Sequence, residues 1–259
     1  LGNIGSDSAL RWGNLGAFIV TIVVNGLAGS TTALNGKNTA AISDAYPTLI
    51  TPAGYVFSIW GVIYVLLAAF VIFQALPSQA QKAFQKQISV LFILSSVFNV
   101  VWLFLWQYEY LTVSVVLMFA LLATLIAIYL RLNIGKSGVP THERLAVHLP
   151  FSVYLGWITI AAIANVAAAL VAANWDAFGL SAETWAVAIL AVALVITLLV
   201  TFTRRDIAYS LVVIWALAGI AVKQSSNPNI VTTAEVSITI IAVALAATIA
   251  VVRLRHGKK

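Results

Sequence analysis

The feature that most constrains this chain is a succession of eight apolar segments, each near twenty residues, separated by short polar turns. They run over about 12–34, 53–76, 88–106, 110–132, 148–173, 183–203, 207–223 and 233–254. A helix needs about 20 apolar residues to cross the hydrocarbon core of a bilayer, so each segment meets or approaches one crossing, the seventh being the shortest. The runs are continuous rather than alternating, which argues against a β-barrel. Charged residues make up 8% of the chain, against about 25% in a soluble domain, too few to clothe a water-facing surface. The expected fold is an all-α integral membrane protein of about eight transmembrane helices.

The punctuation between segments agrees with that count: Asn35-Gly36-Lys37-Asn38, Pro77-Ser78, Gly135 to Pro140, Asn174 to Asp176 and Ser225 to Pro228. Eight spans put both termini on one side, together with the turns after spans two, four and six. That side holds twelve basic residues (Arg11, Lys82, Lys86, Arg131, Lys136, Arg144, Arg204, Arg205, Arg253, Arg255, Lys258 and Lys259), and the other only Lys37 and Lys223. Cytoplasmic loops carry the excess of Lys and Arg, so both termini are expected in the cytoplasm, as in a multi-pass protein of a bacterial inner membrane. Asp44, Glu109, Asp176, Glu183 and Glu235 lean to the outer side. The net charge of +6 is thus explained by topology, and no nucleic-acid partner is expected. Residues 1–11 are polar without a positively charged n-region, so no signal peptide is expected.

Little in the spans suggests catalysis or ion coupling. The chain has no cysteine and three histidines, and no acid–His pair stands at helical spacing. Glu109 and Lys223 lie at span ends, within reach of water. Carriers and pumps keep an ionisable group inside the membrane. His142 and His256 fall in cytoplasmic segments, and at His148, which opens span five, an interfacial histidine outweighs a ligand to a haem or chlorophyll metal. The chain is therefore expected not to be an enzyme, and to hold no metal.

The aromatic and amide residues are more informative. Trp12, Trp106, Trp175 and Trp185 lie near span ends, where an interfacial belt explains them. Trp60, Trp102, Trp157 and Trp215 lie deeper, and a buried indole N–H needs a partner. Asn25, Asn99 and Asn165 are the candidate partners, because an unpaired amide in hydrocarbon costs several kcal/mol. All three should face the bundle interior. Asn99 and Trp102 share one helix face, as do Trp60 and Tyr64. Tyr55, Phe57, Trp60, Asn99, Trp102 and Asn165 fall mostly in the outer half, with loop 35–52 above them as a lid. From spacing alone, the same residues serve equally well as packing between helices. Ala164 with Ala168, and Ala242 with Ala246, have the spacing of close helix contacts.

Three motifs in order carry a family resemblance. Pro52-Ala-Gly-Tyr-Val-Phe57 with Trp60 and Tyr64, Asn99-Val-Val-Trp102, and Pro150-Phe-Ser-Val-Tyr154-Leu-Gly-Trp157 with Ala161 and Asn165 resemble the second, third and fifth helices of the TspO/MBR family. That family comprises the tryptophan-rich sensory proteins and the translocator (peripheral benzodiazepine receptor) proteins. The resemblance covers roughly 12–175 and implies a five-helix bundle with a ligand pocket beneath the first loop. Family members bind porphyrins, sterol-like lipids and synthetic aromatic ligands. Carried over by position, Tyr55, Trp60, Tyr64, Asn99, Trp102, Tyr154, Trp157 and Asn165 would line or brace that pocket. The family pattern has a Trp where Tyr55 stands, and one more residue between its Phe and its Trp. Losing one residue turns a helix face by about 100°, which counts against a Phe57 contact. Leu125-Ile-Ala-Ile-Tyr129-Leu-Arg131 fits a loose sterol-contact pattern, and an interfacial Tyr and Arg explain it as well.

The family fold ends after five helices, so the expected organisation is a bundle at 1–175 and a three-helix segment at 176–259. Two functions follow from different premises. One is binding of a flat hydrophobic ligand, such as a tetrapyrrole, a carotenoid or other isoprenoid, or a sterol-like lipid. The other is a non-catalytic accessory subunit of a larger energy- or light-converting membrane complex, with other subunits or a second copy as partners. Transport of a hydrophobic solute is a third reading, weakened by the lack of an internal repeat.

Overall fold

The computed structural model describes residues 4–256, with side chains from 9 to 254. Among them there is no strand. The long helices are α1 (Ile4–Ser30), α3 (Ile59–Ala75), α4 (Ala83–Gln107), α5 (Leu111–Arg131), α6 (Thr141–Ala172), α7 (Ala182–Arg204), α8 (Ile207–Lys223) and α9 (Pro228–His256), with a short α2 (Thr39–Ala45) in the first loop. Seven of them are long and apolar enough to cross a membrane; α8, with 17 residues, is shorter. The protein is an integral multi-pass membrane protein. Several helices extend past their apolar runs: α4 begins at Ala83 rather than 88 and α6 at Thr141 rather than 148, because a polar turn beyond the hydrocarbon can still complete its backbone bonds in the helix.

Local chemistry sets the ends. Asn38, Ser181 and Asp206 accept from the backbone N–H groups of Ala41, Thr184 and Tyr209, capping α2, α7 and α8. Left-handed residues stop four of the long helices: Glu109 after α4, Asn133 after α5, Asn174 after α6 and Arg205 after α7. At the α7–α8 corner, Gly135 (φ +82°) lies so close that a Cβ there would sit 1.8 Å from the Arg204 carbonyl oxygen.

Packing closes a ring in the order α1, α3, α6, α5, α4 and back to α1. The remaining helices pack on one another through α9, and α8 docks on α6 and on the turn before α3. Gly156 marks the α6–α8 approach, where a Cβ would meet the Tyr209 carbonyl at 3.1 Å. The most buried span is α6: half of its apolar window is enclosed, against 22% for α9. The pair Ala242 and Ala246 is exposed on α9, whose inner face is Ile241, Ala244 and Leu245 instead, so that spacing does not mark a contact.

Side-chain bonds tie the helix ends together. At one end, Arg11 donates to the Gln74, Ala75 and Leu76 carbonyls, Arg131 to that of Gln87, and Arg204 to Asn133 Oδ1 at 2.9 Å. At the other, Lys37 pairs with Glu109 and Lys223 with Asp44, each at 2.6 Å.

Candidate functional site

The first loop folds back over the end of the bundle as a lid. Gln107, the last residue of α4, donates through Nε2 to the Leu34 and Lys37 carbonyls at 3.3 and 2.8 Å, and its Oε1 accepts from Thr39 at 3.2 Å. Asn35 donates to the Gln107 carbonyl at 2.9 Å. Glu109 takes Lys37 on one oxygen and the Tyr46 hydroxyl on the other, at 2.6 and 2.8 Å. The Lys37 hydrogen bond first, then the one from Tyr46, holds the Glu109 carboxyl below its usual range, and the same carboxylate pushes the Tyr46 phenol up. From the far side, α8 fastens the lid through Lys223 on Asp44 and Gln224 on the Thr48 carbonyl at 3.2 Å.

Beneath the lid lies a wall of rings. The Trp60 ring centroid is 5.7 Å from Tyr64, 6.4 Å from Trp102, 6.1 Å from Tyr154 and 6.1 Å from Trp157. Trp102 continues to Trp106 at 6.0 Å, and Phe57 meets Trp157 edge to face at 5.9 Å. Phe57, Trp60, Trp102, Trp106 and Trp157, with polar and small residues of the lid and of α6, line a cavity of about 40 Å³.

The buried amides brace this wall. Asn25 donates to Asn99 Oδ1 at 2.6 Å, and Asn99 donates to the Tyr154 hydroxyl at 3.1 Å. Trp102 Nε1 donates to Asn165 Oδ1 at 2.8 Å, and Asn165 donates to Ser114 at 2.9 Å. All three amides are turned inward, as the cost of an unpaired amide requires. The Trp157 indole N–H is buried without a partner.

Of the residues picked out from sequence, Trp60, Trp102, Trp157 and Asn165 line the cavity, Asn99 and Tyr154 stand behind it, and Tyr64 stacks on Trp60. Tyr55 is half-exposed outside it, edge-on to Trp215 of α8 at 5.3 Å. Phe57 does line the cavity, against the expectation drawn from the shortened spacing. The reason is the 3-10 turn Gly54–Ser58. Such a turn winds about 20° more per residue than an α-helix, or about 100° over five residues, which regains the rotation of one missing residue.

Trp106, whose place at a span end suggests a residue of the interfacial belt, is not one: it is buried, lines the cavity and donates to the Thr39 carbonyl at 3.4 Å. The lid, not the bilayer surface, covers its end of α4. Trp175 and Trp185 cluster with Phe178 of the turn before α7, away from the cavity. The sterol pattern does not present its tyrosine to lipid, because Tyr129 is buried and donates to Asp206 at 2.9 Å. Asp206 itself went unnoticed in the sequence: its carboxylate is buried, held by Ser152, Tyr129 and the Tyr209 amide. Among the described residues no group of three His, Asp or Glu could hold a metal.

No curated protein and no solved structure matches the chain. A family model described as TSPO-like protein matches residues 11–251, continuing past residue 175 through α7 and α8 into α9. Most of the length is covered, and the three motifs in α3, α4 and α6 meet in one aromatic cluster under one lid; the chain belongs to the TSPO-like protein family.

Proposed function

We propose that this protein binds a flat hydrophobic ligand bearing a hydrogen-bond acceptor, of the tetrapyrrole, isoprenoid or sterol-like class, between the rings beneath the lid, and that it does no chemistry on it. The observation that carries this reading is the unpaired Trp157 indole in a wall of four contacting rings around Trp60. A buried donor left without a partner costs about 1–3 kcal/mol, and an acceptor on a ligand would recover that. Apolar walls with a few placed donors suit such a ligand.

The cavity of about 40 Å³ is far below the ~300–1,000 Å³ of ligand pockets. Binding therefore requires the lid to lift and Trp60 to separate from Trp102 or Trp157, so that the rings stack on the ligand in place of one another. The test is saturable quenching of tryptophan fluorescence by protoporphyrin in purified protein, repeated with Trp60→Ala and Trp157→Ala. Weakening by tenfold or more in both is expected. Unchanged quenching in both variants overturns the reading.

The finer topology belongs to the same proposal. Eight spans, with both termini in the cytoplasm, are supported by α8: its Asp206 end lies with the α5–α6 turn and its Lys223 end with the lid. A ligand-binding ring at 1–175 buttressed by a second segment at 176–259 is supported by the closed order of packing among α1, α3, α6, α5 and α4.

A further inference from the structure

At the end opposite the lid, a cleft of about 660 Å³ opens between the α5–α6 turn, the start of α6, the α7–α8 corner and α9. Arg144, Arg205 and Arg253 line it, with Leu149 and Ile249 on its apolar wall. We propose that this cleft is a second binding site, which takes the phosphate headgroup of an anionic lipid with its acyl chain along the apolar wall.

Other arginines at this end are engaged within the protein: Arg11 with the carbonyls ending α3, Arg131 with Gln87, Arg204 with Asn133 and the Tyr129 ring. Among the described residues, the guanidinium groups of Arg144, Arg205 and Arg253 make no hydrogen bond or ion pair, and the bonds that Arg144 and Arg205 do make come from their backbone groups. Orientation in a membrane needs only that basic residues lie on this side. It does not explain why these three surround one concavity while their neighbours are tied up.

The backbone is also built to present them. Residues Arg144–His148 form a π turn, a local widening frequent at functional sites. Arg205 holds a left-handed conformation (φ 56°) at the end of α7, a position that glycine fills at less cost. Asp206 is the one carboxylate lining the cleft among the described residues, and Ser152, Tyr129 and the Tyr209 amide already occupy its oxygens. The guanidinium fork matches phosphate oxygens in pairs, so a phosphate supplies what the three arginines lack. The apolar wall favours a lipid over a free anion.

The test is native mass spectrometry of detergent-purified full-length chain titrated with phosphatidylglycerol or phosphatidylcholine. Preferential retention of phosphatidylglycerol is expected, weakened about fivefold for each arginine removed in R144Q/R205Q and unchanged in K82Q/K86Q, which loses equal charge on the same side. Equal retention of both lipids by the wild-type chain overturns the proposal, and that reading needs no variant to fold. Equal loss in both double variants also overturns it, as does displacement of the lipid by millimolar inorganic phosphate.

Discussion

Asn165 and Gly219 show how much rests on single positions. Asn165 serves two partners at once, accepting from Trp102 and donating to Ser114, at 2.8 and 2.9 Å. Asn165→Leu strands the Trp102 indole inside the bundle, which should cost about 1–3 kcal/mol and lower the thermal unfolding midpoint in detergent. Asn25→Leu takes the donor from Asn99 Oδ1 but leaves Asn99 its bond to the Tyr154 hydroxyl, whereas Asn165→Leu breaks the bonds to both Trp102 and Ser114. Polar pairs between membrane helices average only about 0.6 kcal/mol, so the Asn25→Leu midpoint should fall less. A larger loss from Asn25→Leu would contradict this account. Gly219 is where α8 meets the 3-10 turn: a Cβ there would stand 2.1 Å from Val56 Cγ2, and the Ala53 N–H donates to the Gly219 carbonyl at 3.0 Å. Gly219→Ala should cost about 1–3 kcal/mol through overpacking and weaken ligand binding by moving Phe57. Adding Val56→Ala should restore much of both; no recovery in the double variant would show that the contact is not the cause.

Among the elements, the lid governs access if the proposed site binds its ligand. Its bonds to Gln107 and Glu109 anchor one side and its bonds to Lys223 and Gln224 the other, so opening means breaking a set of exposed and part-buried polar links and withdrawing Ile42 and Ile50, which are buried in the core. The Lys37–Glu109 pair is half-exposed and contributes less than about 1 kcal/mol. Because the Glu109 carboxyl is held below its ordinary range, its share of lid stability is fully present above about pH 4.3 and is lost as the pH falls through the lowered value. Ligand association measured by stopped-flow quenching should therefore quicken on acidification below pH 4. Glu109→Gln should bring the same quickening at neutral pH, by up to about fivefold. Association that ignores both changes would show that something other than this lid limits access.

For the whole molecule, the question is whether the five-helix ring stands alone. Removing α7 to α9 uncovers the α6 surface on which α8 packs, where Tyr209 and Val212 close over Gly156, leaves Ser152 without Asp206 and Thr159 without the Tyr209 hydroxyl, and takes away the Lys223 hold on the lid. A chain of residues 1–175 should aggregate in detergent, or unfold well below the full protein. Size-exclusion chromatography and thermal unfolding read this directly, and a monodisperse fragment with the full-length midpoint would contradict it.

The sequence by itself determined the medium, the helical class and the inward set of aromatic and amide residues. Hydropathy over twenty residues and the cost of an unpaired amide are local quantities, readable from Trp60, Asn99, Trp102, Trp157 and Asn165 without knowing their neighbours. Only the tertiary structure decided what a chain-distant element does to a local pattern. The lid turned Trp106 from a belt residue into a cavity wall, the 3-10 turn pressed on α8 restored Phe57, and α6 gathered Asp206 into a buried hydrogen-bond cluster. The size of the cavity, not its place, was beyond reach of the sequence, because a space of about 40 Å³ is the small remainder of several helices packing together.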